Sequence, residues 1–154
     1  MVEEFKIVLS ISFWGNTMID KTGKLIKFFE YMNPNVHISV YRSSHDPGVG
    51  SLLSFFGAEG AASLNLDTGA VDISINDDVF RKAMIYEELG HALQYHRDGH
   101  VDVGSIDYYR REIEVAECLI ERASNYRIKL SAAELKQTEI NLKAYQEKLR
   151  NLEG

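Results

Sequence analysis

The sequence predicts an α/β (α+β) domain, a small mixed sheet with an antiparallel edge packed on helices. Three observations carry that expectation. The first half holds short runs of β-branched and aromatic residues, some with the period-two alternation of a strand. Two of these runs flank Asp67-Thr68-Gly69, the pattern of a hairpin. From about Asp78 onward, apolar residues instead recur at helical spacing in three long stretches.

Composition sets the frame. A chain of 154 residues, 45% of them hydrophobic, can bury one core, so residues 1–154 are expected to form a single domain. Residues 1–77 should be mainly strands plus one helix, and 78–154 three helices. A net charge of −6 argues against a nucleic-acid-binding surface. The single Cys118 excludes an intramolecular disulfide, and its helical setting predicts a buried thiol. No apolar run reaches the roughly 18 residues that span a bilayer, and Glu3 and Glu4 stand where a signal peptide would be basic. The expectation is a soluble chain, cytoplasmic as given or delivered as part of a larger exported protein.

Taken in order, Phe5 to Trp14 reads as a buried strand. Met18 to Met32 reads as a helix stopped by Asn33-Pro34-Asn35. Val36 to Tyr41 alternates as a half-exposed strand, with His37 on its polar side as a surface histidine. Ser43 to Gly60 is punctuated by glycines around the apolar patch Leu52 to Phe56. It predicts either a binding wall or lid, or a short helix packed on the sheet. Ala61–Leu66 and Ala70–Asn76 form the hairpin, and Ala70–Asn76 is expected as an edge strand.

Asn76, Asp77 and Asp78 are N-cap candidates for a helix from about Asp78 to Arg97, ended by Asp98-Gly99. Its apolar stripe should be Val79, Ala83, Tyr86, Gly90 and Leu93, beside a mixed stripe of Phe80, Met84, Glu87, His91 and Gln94. Ser105 or Asp107 can cap the next helix, Ile106 to Tyr126, with Tyr109, Ile113, Ala116, Ile120 and Ala123 facing the core. Ser131 and Glu134 make a capping box for a last helix, Ala132 to Leu152.

The chemistry concentrates in Ile85-Tyr86-Glu87-Glu88-Leu89-Gly90-His91-Ala92-Leu93-Gln94. Glu87 and His91 are four apart and share a helix face, with Glu88 one step around. Zinc hydrolases of the zincin type bind metal with helix positions i and i+4 and polarise water with a Glu at i+1. Their motif is His-Glu-x-x-His; here it reads Glu-Glu-x-x-His. The third histidine of a metzincin would fall at Arg97, which excludes that variant. A third ligand must come from elsewhere, and the carboxylate-rich Arg110 to Glu117 offers candidates on the following helix.

The motif, the preceding hairpin and the later Arg-Glu-Ile-Glu-Val-Ala-Glu-Cys-Leu-Ile together resemble zincin-like metallopeptidase domains over residues 70–125. The nearest likeness is to the metallopeptidase toxin domains of bacterial polymorphic toxins; a second is to metallopeptidases that cleave phage repressors. The resemblance implies a zincin-like fold and hydrolysis of a peptide bond. It implies Glu87, His91 and Glu114 as metal ligands, Glu112 or Glu117 as fallbacks for the third, and Glu88 as general base. By helical phase Glu112 and Glu117 lie closer to the core face than Glu114. It further implies zinc as cofactor, the Ala70–Asn76 strand as the substrate's aligning edge, a protein or peptide substrate, and a cognate immunity or inhibitor protein. With Glu87 in the first ligand position, the set suits weakly held zinc, another divalent ion, or no metal at all. Two further readings stand beside the peptidase: a metal-free zincin-like module that binds a protein, and a metal-independent toxin using the Glu/His pair as acid and base.

Overall fold

A computed structural model describes residues 19–154; the strand expected over Phe5–Trp14 lies outside them. Helix α1 (Lys21–Met32) starts at Asp20, whose carboxylate accepts from the Gly23 N–H, and stops at Asn33 before Pro34. Strand β1 covers Ile38–Arg42. The glycine-punctuated stretch forms a short helix, α2 (Pro47–Phe55), capped by Asp46 with Pro47 in its first turn. Only Leu53 of its apolar patch is buried; Leu52, Phe55 and Phe56 face solvent.

Strands β2 (Gly60–Leu64) and β3 (Val71–Ile75) form the expected hairpin. In the turn, the Asn65 side chain accepts from the Asp67 and Thr68 N–H groups, and Gly69 supplies the positive φ. The sheet order is β1-β3-β2, with β1 parallel and β2 antiparallel to β3. The strand Ala70–Asn76 was expected at an edge; β3 is instead central, hydrogen-bonded on both sides. Its alternate residues Val71, Ile73 and Ile75 are fully buried, which suits a strand enclosed by two neighbours. The edge of the hairpin is β2.

Helix α3 (Lys82–Asp98) lies on β2 and β3 and against α1. The core joins Ile26, Phe29, Val36, the three β3 residues, Met84, Ile85, Leu89 and Ala92. Two expectations for this helix are corrected. Its buried stripe is Met84, Ile85, Leu89 and Ala92; Leu93 is exposed because the sheet meets the helix about one residue around from the stripe read in sequence, and Val79 is exposed in the bend before the helix begins. It also starts later than Asp78: the N-cap is Arg81, which makes no side-chain cap bond. Asp77 is occupied elsewhere, accepting from Arg42, from the Ser44 N–H and hydroxyl, and from the Ser43 hydroxyl.

The cap that α3 lacks locally comes from Glu134, whose carboxylate accepts from the Ala83 N–H. Glu134 belongs to the last helix, α5 (Ala132–Glu153), where it also closes the capping box with Ser131. Between them α4 (Ile106–Ser124) is capped by Ser105, and α4 and α5 pack along each other. On α4 the buried residues are Glu112, Val115, Ala116 and Leu119; Tyr109, Ile113, Ile120 and Ala123 are only partly covered. Cys118 was expected buried and is exposed, falling just outside the arc of Glu112, Val115, Ala116 and Leu119 that α4 buries. No helix among the described residues is long and apolar enough to cross a membrane.

Candidate metal centre

Helix α3 presents Glu87 and His91 one turn apart, beside the face that Ile85, Leu89 and Ala92 bury on the sheet. Between them lies Gly90, and a Cβ there would meet both Val115 methyls of α4 at 3.3 Å. The missing side chain lets α4 approach. Glu112, one turn before Val115, therefore arrives at the imidazole: His91 Nε2 and Glu112 Oε2 are 3.3 Å apart. One ligand atom each from Glu87, His91 and Glu112 lies within 4.8 Å of the other two, so the group can hold a metal ion.

Glu114 does not join this group. Its side chain is half exposed and receives a two-pronged ion pair from Arg97, at 2.8 and 2.9 Å, plus a hydrogen bond from the Gln94 amide at 3.0 Å. Glu117 is exposed as well. Helical phase separated Glu112 from Glu114 but also favoured Glu117, which is exposed: the face α4 turns inward is that of Val115 and Leu119, three and seven residues after Glu112. His96 and His100 lie on the surface, and His100 pairs with Asp102.

Glu88, adjacent to the cluster, is buried and rests on the first residue of β2. A Cβ at Gly60 would fall 2.7 Å from Glu88 Oε1, so only glycine leaves room for the carboxylate there. Nothing in the sequence around Gly60 marks that role, because the partner is 28 residues away.

The charges are unusual. Burial and the nearby Glu112 raise the Glu87 carboxyl, with His91 opposing. Burial pushes Glu88 up to about 8; His91 pulls it down while Glu87 and Glu112 add to the rise. Burial would lower His91, but the Glu112 hydrogen bond and charge, with Glu88 and Gln94, lift it to about 9. Three carboxylates thus share one imidazole, and among the described residues no lysine or arginine pairs with them. Without a cation the cluster holds protons; a divalent ion can take their place. Burial and then Glu112 also raise Tyr108 and Tyr145, so both hydroxyls stay protonated as donors.

Glu87, Glu88, His91, Glu112, Tyr108 and Tyr145 line a cleft of about 1540 Å³ between Gly60–Ala62 of β2 and the α5 wall of Gln137, Asn141 and Tyr145. The hydrogen bonds from Asn65 N to Ala70 O and from Asn76 N to Glu59 O fix the ladder's phase. Residues 59, 61, 63 and 65 bond inward to β3, so Gly60 and Ala62 turn their N–H and C=O groups outward. Among the described residues no strand pairs with that side. No protein family, curated protein or solved structure matches this chain.

Proposed function

We propose that this protein is a metal-dependent peptidase, with a divalent ion held by Glu87, His91 and Glu112. The observation that carries this reading is the convergence of those three residues on the floor of a cleft, beside a buried carboxylate and an open strand edge. A donor set of two carboxylates and one imidazole suits zinc and also harder divalent ions. When bound, the metal would lower the pKa of a water and polarise the scissile carbonyl.

The remaining work falls to this chain's own groups. Glu88 is the general base, held on Gly60 and screened from bulk water, where it takes and returns a proton. The outward N–H and C=O groups of Gly60 and Ala62 align an extended peptide by strand addition. This passes to β2 the role the resemblance gave to Ala70–Asn76. Tyr108 and Tyr145 supply hydroxyl donors to the cleft.

The test is hydrolysis of a proteome-derived peptide library by zinc-loaded protein, read by mass spectrometry. Wild type should cut, chelation should stop it, and Glu88→Gln should lose about a hundredfold or more in rate while retaining zinc. A library left intact by the zinc-loaded wild type would overturn the peptidase.

A second reading has one observation in its favour. The contact between the His91 imidazole and the Glu112 carboxylate closes the cluster on itself without a metal ion, as in a metal-free module whose cleft binds a protein. That module would bind no zinc, and its properties would not respond to chelators.

A further inference from the structure

The side chain of Gln94 lies between the cluster and the surface, and it is almost fully buried. Its amide nitrogen donates to the Arg111 carbonyl at 2.9 Å and to Glu114 Oε2 at 3.0 Å. Both partners accept only, so they fix which end of the amide is which. The Gln94 oxygen must then face His91, whose Nδ1 lies 2.9 Å away. An amide oxygen only accepts, so Nδ1 must carry the hydrogen. The nitrogen left to face Glu87 and Glu112 is Nε2.

Glu114 is itself held from outside by the two-pronged Arg97 pair. A chain of oriented groups therefore runs from the surface through Arg97, Glu114 and Gln94 to the imidazole. A histidine ligand is held in one tautomer and one ring orientation by a partner on its other nitrogen. Here that partner is an amide, whose own orientation depends on Glu114.

We propose that Gln94 is a positioning residue that sets His91 to ligate through Nε2, and that Glu114 acts through it by locking the amide. The proposal rests on the metal-centre reading above. It assigns to Glu114 a part in metal binding without contact to the metal.

The test compares wild type, Gln94→Met and Glu114→Ala for zinc affinity and for the His91 Nδ1–H resonance in ¹H–¹⁵N spectra. Thermal unfolding of the metal-free proteins serves as the folding control. Wild type should show a slowly exchanging Nδ1–H. Gln94→Met should lose that signal and bind zinc about ten- to a hundredfold more weakly. Glu114→Ala, at an exposed position, should fold normally, speed the exchange of Nδ1–H and weaken zinc about threefold or more; it carries the test if Gln94→Met does not fold. Zinc affinity within twofold of wild type and an unchanged Nδ1–H in the folded variants would overturn the proposal. A wild type that binds no zinc would instead sink the metal centre itself, so the two failures are distinguishable.

Discussion

Gly60 and Glu88 are a pair in which the absence of one side chain fixes the position of another. Adding a methyl in Gly60→Ala places carbon 2.7 Å from Glu88 Oε1, so the carboxylate must move. In the peptidase proposed above Glu88 is the general base, and displacing such a base by about an ångström costs catalysis more than binding. Hydrolysis by Gly60→Ala is expected to fall about tenfold to a hundredfold in kcat/KM, with zinc content unchanged. Unchanged kcat/KM would mean that Glu88 does not act from its place on β2. At this scale Glu87, Glu88 and His91 were legible in the sequence because they lie on one turn and a half of one helix. Glu112 was separable from Glu114 only by helical phase, and a ligand chosen by family resemblance alone fell on a residue that serves Arg97 and Gln94. The dependence on Gly60 could not be read, since it is created by packing between segments 28 residues apart.

Among the elements, two side chains bind distant ends together. Glu134 caps its own helix through Ser131 and also satisfies the start of α3 at Ala83. Glu134→Ala therefore removes two caps at once and is expected to destabilise the protein by about 1–2 kcal/mol in urea unfolding. A loss below about 0.3 kcal/mol would show that α3 finds another cap. Arg42, at the end of β1, similarly joins Asp20 at the start of α1 to Asp77 after β3. The Arg42 hydrogen bonds, with the Gly23 N–H, hold Asp20 down at about 2. Burial would raise Asp77, but the Ser44 N–H and hydroxyl together with Arg42 hold it below its ordinary value.

Both carboxyls are depressed by folding, so the stability they contribute is present above the unfolded value of 3.8 and is lost as pH falls towards about 2. Urea midpoints measured from pH 5 to pH 2 should drop less steeply for Asp20→Asn than for wild type. Parallel slopes would remove Asp20 from the acid response. Local signals in the sequence located the hairpin turn at Asp67–Gly69, which the structure begins two residues earlier at Asn65, and the Ser131 capping box, because each involves residues within a few positions. The start of α3 was misplaced for the opposite reason: Asp77, a plausible cap by composition, is captured by Arg42 from 35 residues away.

On the scale of the whole molecule, one sheet and three helices, α3, α4 and α5, define where chemistry can occur. The parallel pairing of β1 with β3 makes the second hairpin strand central and leaves β2 at the mouth of the cleft. The α4–α5 hairpin closes the opposite side and carries Glu112 inward. The α+β class was legible because alternation and helical periodicity divide the chain into two halves. Strand order was not, since a parallel partner 33 residues upstream leaves no mark on Val71–Ile75 itself. On the proposed function, this arrangement assembles a metal site from Glu87, His91 and Glu112. Elemental analysis of protein purified after zinc supply tests it most directly, on wild type, His91→Ala, Glu112→Gln and Glu114→Ala. About one zinc per chain is expected in wild type, with loss in His91→Ala, marked loss in Glu112→Gln, and a weakened but detectable complement in Glu114→Ala. A wild-type protein that holds no zinc, or a Glu112→Gln variant that holds as much as wild type, would contradict it.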